Sequence, residues 1–215
     1  MIGFLLLLLF AGTGPVAPGP PPLRQLVRIV DARYDSLTTL RADFTEIYSQ
    51  NGLGRRESGV LYLRKPGQMR WDYESPRKKV FLVTRRRVWL YLPDQHQAQV
   101  RSLKSAADLK TPLRWLLGKL DLPRELADMT YGGLNPLWPG DFVIRGVPTA
   151  LGPRFREVLI EVSPAYNIRR IVIRAANGVQ TDFRLRHIAA NISLPERLFR
   201  FHPPPGVQVA PAPLP

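Results

Sequence analysis

The chain has 215 residues, 45% of them hydrophobic and 22% charged, which suits one folded domain with a substantial core and argues against disorder. Its formal charge of +14 implies attraction to polyanions, whether nucleic acid, anionic lipid or an acidic protein face. With no cysteine it has no disulfide framework, thiolate metal site or cysteine nucleophile, and it takes no lipid through an N-terminal cysteine.

Residues 2–11 form an apolar run of about ten, too short for the roughly 20 that span a bilayer and suited to the hydrophobic region of a signal peptide. No Lys or Arg precedes the run and no Ala-x-Ala site is clear, so cleavage is expected anywhere between Ala11 and Ala17. We read 1–17 as a signal peptide, 18–22 as a Pro-rich linker and 23–215 as a single domain.

Within the domain, Leu23, Leu26, Val27, Val30, Tyr34 and Leu37 recur at helical spacing and predict an amphipathic helix over 22–35. From Leu40 the period becomes two: Leu40, Ala42 and Phe44 alternate with Arg41, Asp43 and Thr45. Asn51-Gly52-Leu53-Gly54 then predicts a hairpin before a strand over 57–64. In the next strand, 68–73, Met69, Trp71 and Tyr73 share one face, with Gln68, Arg70 and Asp72 on the other.

Strands over 79–84, 87–92 and 97–103 continue the meander. In the second of these Trp89 and Tyr91 oppose Val88, Leu90 and Leu92, and alternation does not say which set is interior. Thr111-Pro112-Leu113 opens a short helix to about 120, with Leu113, Leu116, Leu117 and Leu120 on one stripe. Residues 121–140 carry no legible period. Strands resume at 142–146, 156–163 and 168–174, and Asn177-Gly178 turns into 179–188. About ten antiparallel strands with one arginine-bearing face must stack as two sheets or curl around the apolar face. Two isolated amphipathic helices, each with a face to cover, favour curling.

Several segments, in order, resemble the LolA family of outer-membrane lipoprotein carriers. They are Leu40-Arg41-Ala42-Asp43-Phe44-Thr45, Leu61-Tyr62-Leu63-Arg64-Lys65-Pro66 followed by Met69-Arg70-Trp71, Val88-Trp89-Leu90-Tyr91-Leu92-Pro93, Thr111-Pro112-Leu113, and Leu198-Phe199-Arg200-Phe201 with Pro204, Gly206 and Val207. The resemblance covers roughly residues 23–209. It implies a mainly β fold with an α lid: an incomplete antiparallel barrel of about 11 strands covered by short helices, with an acyl-binding cavity beneath them. It further implies a monomeric periplasmic carrier that takes lipidated protein from an inner-membrane ABC transporter to an outer-membrane receptor, without a cofactor. The same fold serves regulators and carriers of other lipids, so a module that senses or ferries a different lipid is the alternative. The family's arginine before that proline, which holds the lid by hydrogen bonds, is Lys65 here, with Arg64 adjacent. Lacking the planar fork, Lys65 is expected to close the lid less firmly.

Phe44, Met69, Trp71, Leu113, Leu116 and Leu117 are the expected cavity lining; the competing reading is plain core packing. His96, His187 and His202 stand far apart, so no metal site is expected. Asp31 with Asp35 and Asp72 with Glu74 fall on polar faces and read as solvated surface rather than acid–base pairs. No Ser/His/Asp arrangement stands out, and no enzymatic activity is expected. Nucleic-acid binding is disfavoured because alternation puts Trp71 and Phe183 opposite the neighbouring arginines.

Overall fold

The computed structural model describes residues 19–103, 116, 118–149 and 152–211. The helical spacing folds as α1 (Leu23–Asp35), which buries Leu26, Val27, Val30 and Tyr34. The Ser36 hydroxyl donates to Arg33 O (2.8 Å), giving a last-turn carbonyl a partner where the helix stops. The meander follows as β1 (Thr39–Gln50), β2 (Leu53–Arg64), β3 (Gln68–Ser75), β4 (Lys79–Val83), β5 (Arg87–Leu92) and β6 (Gln97–Ser102). A four-residue α2 (Leu122–Glu125) leads into β7 (Leu126–Tyr131). Then come β8 (Phe142–Pro148), β9 (Phe155–Val162), β10 (Ile168–Ala175), β11 (Gln180–Ala190) and β12 (Gln208–Pro211).

The strands form one 12-stranded sheet in the order β12-β6-β5-β4-β3-β2-β1-β11-β10-β9-β8-β7. Among the described residues it stays open, with β12 and β7 at its edges, and β12 alone pairs parallel, against β6. Mainly β, half-open architecture is thus as expected, with one strand more than the count of about eleven. Chain halves meet at β1 and β11, where Leu40 faces Ala190 and Phe44 faces Leu185.

Period-two alternation sends Leu40, Ala42, Phe44, Leu61, Leu63, Met69 and Trp71 inward, into one cluster with the apolar face of α1. The cluster reaches from Val88 on β5 to Ile144 on β8, so the sheet bends around the helix. Gly59 permits a close approach at its centre: a Cβ there would run into the backbone carbonyl of Asp72 on β3.

A smaller cluster on the outer face decides the orientation that alternation left open. Trp89 packs outward with Leu82, Ala98 and Phe199, and the ring of Phe201 lies 5.0 Å from Trp89 and 5.2 Å from Tyr91. The C-terminal segment is tied over this face by Arg70 Nη1, which donates to Leu198 O (3.1 Å), and by Arg64, which sits over the Phe199 ring at 4.6 Å. β7 escaped sequence reading because Asp128, at φ 51°, sits in a register shift between Ala127 and Thr130 that interrupts the two-residue period. Residues 1–17, and 111–115 and 117 of the expected second helix, lie outside the described residues.

Candidate ligand-binding interior and its clasps

Phe44, Trp71, Tyr73 and Phe183 project from adjacent strands onto the inner face and assemble an aromatic floor. Phe44 meets Trp71 and Tyr73 edge-on at 4.6 and 4.9 Å, and Trp71 lies 5.5 Å from Phe183. Met69 packs in the same cluster, as does Leu116. At the end of the sheet carrying the β1–β2 turn the inner face becomes polar. There Tyr73 Oη donates to Glu46 Oε2 (2.8 Å), and Lys79 Nζ donates to both carboxylate oxygens of Glu57 (2.9 and 2.8 Å). Burial pushes the Glu46 carboxyl up, against the hydrogen bond from Tyr73.

The roof over this floor is α1, held by hydrogen bonds along its length, among them Arg33 to the Asn167 side chain (3.0 and 2.6 Å). Tyr34 Oη accepts from Ile168 N (2.9 Å), pinning the helix to β10. Lys65 Nζ donates to Tyr34 O, a carbonyl in the last turn of α1, and the Lys65 amide donates to Thr38 O (2.8 Å). A cation on the C-terminal carbonyls also complements the helix dipole. Burial lowers the pKa of Lys65, and the charge of Asp35 opposes that shift.

Asp35 Oδ1 accepts from Leu120 N (2.8 Å) and Asp31 Oδ1 from Leu122 N (3.1 Å), so α1 carries two carboxylate clasps one turn apart that hold the segment leading into α2. Beside them lies an apolar-walled cavity of about 770 Å³ between α1 and β7, bordered by Leu23, Val27, Asp31, Pro123 and Met129. A second, of about 400 Å³, lies against Lys65, Asp35, Leu37 and Gly118.

Burial, with help from the charges of Asp121 and Asp35, pushes the Asp31 carboxyl up to about 6; the Leu122 amide and Lys119 pull the other way. A folded-state value above the ordinary 3.8 means that the native state holds this proton more tightly. Its contribution to stability is therefore fully present below about pH 4 and is lost as pH rises through about 6. Asp31→Asn keeps the acceptor for Leu122 without the desolvated charge. It should melt higher than wild type at pH 7.5 and equally at pH 4, as read by thermal denaturation across that range; a pH-independent difference would contradict the assignment.

Of the residues expected to line the cavity, Phe44, Met69, Trp71 and Leu116 come together in the inner cluster, and Leu113 and Leu117 lie outside the described residues. Lys65, in the β2–β3 turn, reaches the last turn of α1 through its ammonium group. Asp35 is exposed, as read from sequence, whereas Asp31 is partly buried; both accept backbone amides, which their spacing of four on one helix does not by itself reveal. Asp72 pairs with Arg70 (2.7 Å), as a surface residue does. Trp71 and Phe183 are buried, away from the outward arginines.

The family model for the outer membrane lipoprotein carrier protein LolA matches residues 35–202. The chain belongs to the LolA family. An outer-membrane lipoprotein carrier protein of Methylococcus capsulatus is 32% identical over 177 residues, covering 81% of this chain and 82% of the relative. Another, of Nitrosospira multiformis, is 28% identical over 209 residues, covering 96% and 94%. A solved structure of an uncharacterized conserved protein from Thermus thermophilus is similar in fold, with a TM-score of 0.56 at 15% identity over 88% of this chain and 99% of that one. The span matched to LolA begins in the last turn of α1 and includes β1 to β11 with the Lys65 clasp and the aromatic floor.

Proposed function

We propose that the protein is a periplasmic, non-enzymatic carrier that shelters the acyl chains of lipoproteins between the inner face of the sheet and α1. On this reading an inner-membrane ABC transporter loads it, an outer-membrane receptor unloads it, and residues 1–17 are its export signal. The observation that carries the reading is the aromatic floor of Phe44, Trp71, Tyr73 and Phe183 under the apolar face of α1. Each methylene moved from water onto such a floor contributes about 0.8 kcal/mol, while the clasps, at about 1.5–3 kcal/mol for each charged hydrogen bond, are weak enough to yield to it.

Fluorescence titration with a triacylated lipopeptide tests the reading, and Leu116→Glu is its informative variant. A carboxylate at this buried position opposes acyl burial, so affinity should fall at least about tenfold in a protein that still melts cooperatively. A folded variant with unchanged affinity would show that Leu116 only packs against protein.

Lys65 acts in this scheme as the lid-control residue. If cargo enters only the open form, apparent affinity scales with the open fraction. Lys65→Met removes the donor to Tyr34 O and should both speed hydrogen exchange at Leu37, Leu120 and Leu122 and tighten lipopeptide binding. Lys65→Arg should slow exchange and weaken binding. Neither quantity moving in either variant would remove Lys65 from the mechanism.

A further inference from the structure

Between β7 and β8 the chain runs Leu134-Asn135-Pro136-Leu137-Trp138-Pro139, an apolar loop laid on the outer face of the sheet. Leu134 packs with Val143, Leu159 and Val172, and the amides of Leu137 and Trp138 donate to Glu161 Oε1 (2.7 and 3.2 Å). Anchored in this way, the loop leaves Leu137 42% exposed and brings the Trp138 indole against two guanidinium groups, Arg169 at 5.6 Å and Arg186 at 5.8 Å. A cavity of about 400 Å³ opens beside the ring, bordered by Trp138, Asn167, Arg169, Arg186 and His187.

Arg169, Arg186 and Asn167 offer donors to this cavity. Arg169 reaches the buried carboxylate of Asp141 (3.2 Å), whereas Arg186 is exposed and has no ion pair among the described residues. The Asn167 carbonyl oxygen is taken by Arg33 (3.0 and 2.6 Å), which leaves the amide NH2 for a ligand. His187 sits in the left-handed region at φ 49°, uncommon for a side chain, with Nδ1 on Asp43 Oδ2 (2.7 Å) and Nε2 as its remaining nitrogen. Two guanidiniums that share one indole repel each other, and an anion between them relieves that repulsion. Planar forks of this kind match the oxygens of a phosphate.

We propose that this cavity holds the phosphate of an anionic phospholipid, so that the protein docks on a membrane by this face. Arg186, Arg169 and Asn167 contact the phosphodiester oxygens, and Leu137 and Trp138 enter the interface between head groups and acyl chains, where an aliphatic group beside an indole is stable. The exposed Leu137 favours lipid over a free anion, which has no use for it. The site opens beside Trp138, away from the aromatic floor, although Leu185 of the inner cluster also lines it and Arg33 ties its Asn167 to α1.

Co-sedimentation of the empty full chain with phosphatidylcholine vesicles, with and without phosphatidylglycerol, tests the proposal. Wild type should bind only the anionic vesicles, and Arg186→Gln should bind them about fivefold more weakly, the effect of one basic contact at such a surface. Arg186→Lys, which keeps the charge and loses the fork, should fall between. Arg56→Gln, an equal loss of charge on the exposed β1–β2 hairpin, should change little. Leu137→Ser should weaken vesicle binding while leaving the thermal shift produced by inorganic phosphate unchanged. Equal losses in Arg186→Gln and Arg56→Gln would overturn the proposal in favour of diffuse attraction by a basic protein. A phosphate-induced shift that depends on Arg186, with vesicle binding indifferent to Arg186 and Leu137, would overturn it in favour of a soluble anion.

Discussion

Trp71→Ala is expected to lower the unfolding free energy by about 3–5 kcal/mol, the range for truncating a large buried aromatic. Trp71 is 2% exposed and holds the floor together: its ring meets Phe44 and Phe183, and Tyr73 stacks at 6.4 Å. Truncation leaves a cavity under α1, and four neighbouring strands limit how far it collapses. Urea unfolding with and without saturating lipopeptide separates packing from ligand contact. An acyl chain that reaches the floor refills part of the space, so the ligand should stabilise the variant by more than it stabilises wild type. A loss below about 1 kcal/mol would mean that the interior repacks freely. Equal stabilisation of both proteins would place the acyl chain elsewhere, in the cavity between α1 and β7.

Arg170→Leu should cost a comparable amount, about 3–5 kcal/mol, for an electrostatic reason. Arg170 donates through Nε and Nη2 to the two oxygens of Asp182 (2.9 and 2.8 Å), and Nη1 lies 3.6 Å from Glu161 Oε2, which has no hydrogen bond of its own. The side chains of Asp182 and Glu161 are 4% and 1% exposed, so the variant leaves Asp182 with Arg184 alone (2.9 Å) and Glu161 without its guanidinium. Burial pushes the Asp182 carboxyl up, but hydrogen bonds and charge from Arg170 and Arg184 outweigh it and hold the group below the usual carboxylate range. The stability from this pairing is therefore present above pH 3.8 and is lost as pH falls below it. In Arg170→Leu the Asp182 carboxyl takes up a proton more readily, so the deficit should be largest at neutral pH and should narrow on acidification. The double variant Arg170→Leu/Asp182→Leu should recover much of the loss. A deficit that is independent of pH and unrelieved in the double variant would point to packing of the arginine stem instead.

Sequence reading did not reach the pairing of Arg170 with Asp182, although the faces it joins were legible. Alternation over 182–187 set Phe183, Leu185 and His187 against Asp182, Arg184 and Arg186, because a strand has a period of two wherever one side is buried; Phe183 and Leu185 do point inward, but His187, at φ 49°, breaks the period and is exposed. For the same reason Phe44, Met69 and Trp71 were readable as one interior, and Leu26, Val27, Val30 and Tyr34 as the buried stripe of α1. Which arginine meets which carboxylate is a matter of strand register, which brings Arg170 beside Arg184 across the β10–β11 pair.

The sequence by itself determined the meander, its turns, the inward residues and the LolA resemblance, all of which rest on contacts or spacings local to the chain. Tertiary structure alone decided the rest. The carboxylates of Asp31 and Asp35 became clasps because folding brought backbone amides 91 and 85 residues away against them, and an amide leaves no mark in residue type. Trp89 faces outward because the segment around Phe199 and Phe201 returns to cover it; either face of β5 suits a strand until something packs there. β7 has a bulge where periodicity would have revealed it, and β12 is four exposed residues made a strand only by the free edge of β6. Trp138 shares its ring with Arg169 and Arg186 only because Glu161, on another strand, holds the loop by two amides. Periodicity records which side of an element is dry, and long-range partners are set by how the dry sides close on one another.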